Sequence, residues 1–181
     1  MPIQFRLATP DDLPALQQLI PDSVRALSAG FYTPAQIEGA LVHIFGVDTQ
    51  LIADGTYYAA ASDGQIVGCG GWSRRKTLFG GDQMKAAADS LLDPALDAAR
   101  IRAFFVHPAW ARRGIGRRII ELCEAAARRD GFRRAELVAT LPGEPLYAAL
   151  SYAVMRRFEV PMPGGEALPV ASMAKEFQEP P

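Results

Sequence analysis

Val106-His107-Pro108-Ala109-Trp110-Ala111-Arg112-Arg113-Gly114-Ile115-Gly116-Arg117-Arg118 joins two kinds of periodicity. Before it, Ala99 to Val106 is a strand-forming run closed by His107-Pro108. After it, Ile115, Ile119, Cys123 and Ala126 recur at helical spacing, with Arg117, Glu121, Glu124 and Arg128 opposite, and Gly131 ends the run. A strand therefore feeds a long amphipathic helix through a basic turn that carries glycines. Glycine lets backbone bend and come close to a ligand, the first helical N–H groups lack internal partners, and the dipole favours negative charge there. The turn predicts an anion cradle suited to a phosphate or pyrophosphate, with arginines around it. A Gly-x-Gly alone often does no more than turn a corner. A P-loop would need Gly-Lys-Ser or Gly-Lys-Thr, and Arg117-Arg118 follow Gly116 instead. A dinucleotide fingerprint would need a third glycine where Ile119 stands.

Outward from this turn, the pattern predicts alternating strands and helices. Ile3 to Leu7 alternates as a half-buried strand, and Thr9-Pro10-Asp11-Asp12 reads as a helix start. Thr33-Pro34 repeats that signal before Ile37, Leu41 and Ile44. Between these helices, Ser28 to Tyr32 reads as a loop with two exposed aromatics, Phe31 and Tyr32. Two apolar runs flank Ser62-Asp63-Gly64, a strong hairpin signal. Arg74 to Ala99 reads as a long connection or lid, weakly helical from Met84 to Leu92. A strand at Arg134–Ala139, a short helix around Pro145–Leu150 and two strands near Tyr152–Val160 and Leu168–Glu176 complete the chain. Without repeats or an interior linker, residues 1–181 read as one mixed α/β domain.

The 181 residues are 49% hydrophobic and 22% charged, enough for a sizeable core. A net charge of −1 argues against a nucleic-acid partner. Residues 100–134 do hold ten arginines against Glu121, Glu124 and Asp130, but without the interleaved exposed aromatics of a nucleic-acid surface. No apolar run is long enough for a membrane span and the start of the chain has no signal-peptide pattern, so the expected location is cytoplasmic. Cys69 and Cys123 read as two buried free thiols, and the separated cysteines and histidines offer no metal-ligand spacing.

The strand, the Val-x-Pro and Arg112-Arg113-Gly114-Ile115-Gly116-Arg117 opening a helix resemble the acyl-CoA-binding motif of the GNAT superfamily of N-acetyltransferases. Downstream, Leu146-Tyr147-Ala148-Ala149-Leu150-Ser151-Tyr152 resembles a second family motif at the expected separation. The order of elements matches over nearly the whole chain. Ala111 stands where the family usually has Gln or Arg, and Ser151 where Gly is usual.

The resemblance implies a twisted, mostly antiparallel sheet of six or seven strands with about four helices, its fourth and fifth strands splayed to admit acetyl-CoA as co-substrate. It implies direct acetyl transfer to a primary amine of a small molecule or peptide, without a metal. A non-catalytic CoA-binding or partner-binding domain is the alternative. The pyrophosphate would rest on Arg112, Arg113, Gly114, Ile115, Gly116, Arg117 and Arg118, and the pantetheine arm would pair with Phe104, Phe105 and Val106. The Val106 N–H would hold the thioester oxygen, and Tyr147 would protonate the departing thiolate. The fourth strand carries no acid, so water is expected to take the amine's proton. Phe31, Tyr32, Trp72 and Phe79 are candidates to line the acceptor pocket. His107 reads chiefly as a spacer before Pro108, and His43 as structural. The final strands and sheet edge predict a monomer or a homodimer, with the dimer favoured.

Overall fold

Asp63 and Gly64 take φ values of +50° and +79°, the left-handed pair that a two-residue hairpin turn requires, and join β2 (Tyr57–Ser62) to β3 (Gln65–Ser73). The computed structural model describes residues 2–85 and 88–178. The other elements are β1 (Gln4–Leu7), α1 (Leu13–Ser28), α2 (Pro34–His43), α3 (Thr49–Ala53), β4 (Ala99–Val106), α4 (Ile115–Arg129), β5 (Arg134–Thr140), α5 (Glu144–Ala149), β6 (Ala153–Pro161) and β7 (Ala167–Glu176). The seven strands run in the order β1-β2-β3-β4-β5-β7-β6, with β4 and β5 parallel and the other neighbours antiparallel. The described helices number five, one more than expected, because α3 had left no readable periodicity.

The sheet carries apolar side chains on both faces. Ile115, Ile119, Ile120 and Cys123 of α4 pack on one face against Ala135 and Leu137 of β5, with Tyr147 of α5 in the same cluster. Ile20 and Val24 of α1, Ala40 of α2, and Leu168 and Val170 of β7 pack on the other. Both cysteines are free and buried, as expected.

β4 and β5 pair only at Ala99↔Ala135 and Arg100↔Glu136, then part. The departure coincides with a β-bulge opposite Gly70, where Ala103 takes φ +58°. The buried Tyr57 hydroxyl donates to the Ala103 carbonyl at 2.9 Å and holds that kink. A Cβ on Gly70 would lie 2.7 Å from the Phe104 ring, so glycine makes room for the bulged residue. Just before the kink, the Arg102 guanidinium meets the Asp48 carboxylate at 2.7 Å with both side chains essentially buried. Asp48 also accepts from the Gln50 N–H to cap α3 and pairs with Lys85.

Several expectations are corrected here. Thr9 opens a short 3-10 turn (Pro10–Asp12), and α1 begins only at Leu13. The Asp12 side chain is drawn instead to Arg6, in two 2.7 Å contacts, and to the Thr9 N–H. The expected helical piece from Met84 to Leu92 includes residues 86 and 87, outside those described. Around them the chain forms a 3-10 turn (Asp82–Met84), and the Leu92 and Lys76 N–H groups bond the Arg74 and Ser90 carbonyls, folding the segment back on itself. Phe31 is exposed as expected, but Tyr32 is buried, its hydroxyl donating to the Pro169 carbonyl at 2.6 Å and accepting from the Leu141 N–H at 2.9 Å.

Candidate functional site

A cavity of about 840 Å³ runs through the sheet where β4 and β5 part. One end is lined by the turn before α4, the middle by β4 and the start of α5, and the far end by α1, the residues after α2 and β7.

The α4 end is built by backbone. Arg112 and Gly114 take φ values of +64° and +81°, flanking Arg113, and this alternation turns successive N–H groups toward one concave side. The first bond inside the helix runs from the Arg118 N–H to the Gly114 carbonyl at 3.0 Å, so the N–H groups of Ile115, Gly116 and Arg117 have no partner within the helix. A Cβ placed on Gly114 would have no heavy atom within 4 Å, so the space above it is open. Arg112 and Arg117 reach the cavity wall. Arg113 lies over the Trp110 ring, with its guanidinium carbon 4.8 Å from the centroid, and Arg118 pairs with Glu121 at 3.3 Å; neither lines the cavity. The donor set fits a pyrophosphate: N–H groups with no partner inside the helix, the positive end of the dipole, and the Arg112 and Arg117 guanidinium groups, which have no ion pair among the described residues.

In the middle, Phe104, Phe105 and Val106 all line the cavity. Phe104 turns to the α4 face, edge-on to Tyr147 at 6.3 Å, and Phe105 to the α1 face, edge-on to Phe45 at 6.1 Å. The expectation of an open Val106 N–H needs correction. The His107 N–H bonds the Val67 carbonyl of β3 at 2.9 Å, so strand alternation turns the Val106 N–H the other way. There it donates to Ser23 Oγ of α1 at 3.1 Å. Ser23 is 4% exposed and lines the cavity. It sits in the apolar stripe Leu16, Leu19, Ile20, Val24, and a lone hydroxyl on such a stripe is the signal that would have singled it out.

Tyr147 is presented by α5, whose register holds despite the substitution noted in the motif. Ser151 takes φ +71°, the left-handed conformation that glycine adopts without cost, and the Tyr152 N–H bonds the Tyr147 carbonyl at 3.0 Å. The Tyr147 side chain is buried against Phe104 and Tyr152 and lines the cavity, and none of the described hydrogen bonds engages its hydroxyl. Burial, with a smaller contribution from Cys123, raises the phenol well above its ordinary range. It therefore keeps its proton at neutral pH.

Of the aromatics expected near the acceptor, Phe31 and Phe79 line the cavity. Tyr32 does not, and Trp72 packs on the α4 face against Phe132 at 6.0 Å. His107 Nδ1 accepts from the Ala109 N–H at 3.2 Å, so its role is to cap the turn after β4.

A family model described as the acetyltransferase (GNAT) family matches residues 22–152. No curated protein matches the chain. Among solved structures, a GCN5-related N-acetyltransferase from Rhodopseudomonas palustris aligns with TM-score 0.72 and 22% identity, over 98% of this chain and 97% of its own. The PaiA N-acetyltransferase from Thermoplasma acidophilum, solved with coenzyme A, aligns at 0.63 and 14%, over 98% and 100%. The YncA acetyltransferase from Salmonella typhimurium, solved with acetyl-CoA, aligns at 0.64 and 17%, over 98% and 95%. These are likenesses of fold.

Proposed function

This chain belongs to the acetyltransferase (GNAT) family, and from that premise we propose that it moves an acetyl group from acetyl-CoA directly onto a primary amine of a small molecule or peptide. The observation that carries the reading is the cavity itself. It joins a helix-start anion cradle at one end to a buried tyrosine at the splay, and continues to walls drawn from α1, the residues after α2 and β7 on the other face.

Acetyl-CoA, when bound, supplies the activated thioester. The Ile115, Gly116 and Arg117 N–H groups, with Arg112 and Arg117, would hold its pyrophosphate, and Phe104 to Val106 would flank the pantetheine arm. The Val106 N–H and the Ser23 hydroxyl would act in series: the N–H donates to Ser23 Oγ, and the hydroxyl, on the cavity wall, would give its own proton to the thioester oxygen. Together they stabilise the negative charge that develops on the thioester oxygen. As the N–C bond forms and the C–S bond breaks, Tyr147 gives its proton to sulfur and water accepts the proton lost by the amine.

The protein acts as a single domain, and two buried free thiols suit a reducing, cytoplasmic setting. The exposed edge strand β6, with Met155 outward, is the surface on which a second copy would pair. The test of function is direct. Acetyl-CoA and a panel of primary amines are mixed with the protein, free thiol is followed, and the acetylated amine is identified by mass. Tight coenzyme A binding without thiol release on any amine would contradict the reading.

A further inference from the structure

The end of the cavity on the α1 and α2 face differs sharply in chemistry from the α4 end. Its walls are Phe31, Phe45, Phe79, Leu168 and Val170, drawn from three connections and β7. Phe45 is braced by Phe105, and Phe79 lies 6.3 Å from Phe158. Among the described residues, no aspartate or glutamate lines any part of the cavity. Apart from Arg112 and Arg117 at the α4 end, the charged residue in the lining is Arg102, itself 4% exposed, with its guanidinium committed to Asp48 and to the Gly80 carbonyl. Asp48 is wholly buried and already shared between Arg102 and Lys85. A cation entering from this side therefore meets apolar walls and a positive group, and no free counter-charge.

We infer that this end binds a primary amine carried on an apolar body, with the amine as the molecule's sole cation, and that it rejects polyamines and aminoglycosides. The inference rests on the transfer reading above and names its acceptor. Burying one ammonium among phenylalanines lowers its pKa, because the charged form loses its hydration without gaining a partner. The group sheds its proton to water on entry and arrives as the neutral nucleophile. This accounts for a site that lacks a carboxylate base. A polycation would have to bury a second charge on the same terms, and nothing in the wall offsets that cost.

The experiment measures thiol release from acetyl-CoA with 2-phenylethylamine and tryptamine against 1,4-diaminobutane, spermidine and kanamycin. The expected result is a kcat/KM at least about tenfold higher for the two aromatic amines, since an unpaired buried charge discriminates strongly. Activity on them should also rise with pH toward the free amine's pKa. Phe31 is 53% exposed, so Phe31→Glu adds a carboxylate at the rim without disturbing the core, and it should narrow the ratio by about tenfold. A preference for the polycations would overturn the inference while leaving acetyl transfer intact. So would faster turnover with octanoyl-CoA than with acetyl-CoA, because the apolar walls would then belong to the acyl chain. Failure of every amine in a protein that still binds coenzyme A would overturn the transfer reading and this inference with it.

Discussion

The Val106 N–H donates to Ser23 Oγ across 3.1 Å, tying the last residue of β4 to the middle of α1 at the mouth of the splay. If the two act in series on the thioester oxygen, Ser23→Ala should lower kcat by about tenfold, the worth of one ordinary hydrogen bond. Acetyl-CoA affinity should hardly change, and Ser23→Thr should retain most of the activity. Steady-state kinetics beside calorimetric binding make the comparison. An unchanged or raised kcat in Ser23→Ala would mean that the serine merely occupies the N–H.

Gly114 combines φ +81° with open space above it. Gly114→Val should abolish coenzyme A binding, since a branched side chain both fills the cradle and resists that backbone. Gly55 has φ +67° and equally open surroundings and does not line the cavity, so Gly55→Val supplies the control for strain alone. Calorimetry should show binding retained in the second variant and lost in the first.

Ser151 stands in the left-handed region at φ +71°. Ser151→Gly should relieve a strain of about 1 kcal/mol, raising the melting temperature by about 2–4 °C with turnover unchanged. Differential scanning calorimetry reads the shift.

Hydrogen bonds from Arg6, and further ones from Thr9, lower the Asp12 carboxyl to about 2. A depressed folded pKa gives stability that is complete above the ordinary aspartate range and is lost as pH falls through the folded value. Because Arg6 is well exposed, the contribution should be about 1 kcal/mol, below what the shift alone suggests. Asp12→Asn should be destabilised by that amount at neutral pH, and the gap should close as pH falls toward about 2. Urea unfolding at several pH values tests it.

The turn from Val106 to Arg118 was legible because strand period, proline, glycine and helix period follow one another without ambiguity, and the hairpin at Asp63-Gly64 because few residues accept that turn. α3 is too short to show periodicity, and the helix read from Thr9 begins only at Leu13 because the first residues close a 3-10 turn. Arg102 and Asp48 lie 54 positions apart, so their pairing exists only in three dimensions. Ser23 was missed for the same reason: its meaning depends on which strand N–H faces it. Tyr147 and the cradle glycines were found through motif spacing; at the acceptor end Phe31 and Phe79 were anticipated but Phe45, Leu168 and Val170 were not, because that end is assembled from four separate segments of chain.

Tyr147→Phe probes acetyl transfer at the splay, with Tyr147 as the proton donor, more directly than any other substitution. The ring and its contacts with Phe104 and Tyr152 would remain, so the change isolates the hydroxyl. With the best amine found, kcat should fall by about 10²-fold, or about 3 kcal/mol, while acetyl-CoA affinity and the melting temperature stay near those of the wild type. Wild-type turnover in Tyr147→Phe would contradict the account and return that residue to a purely structural place in the core.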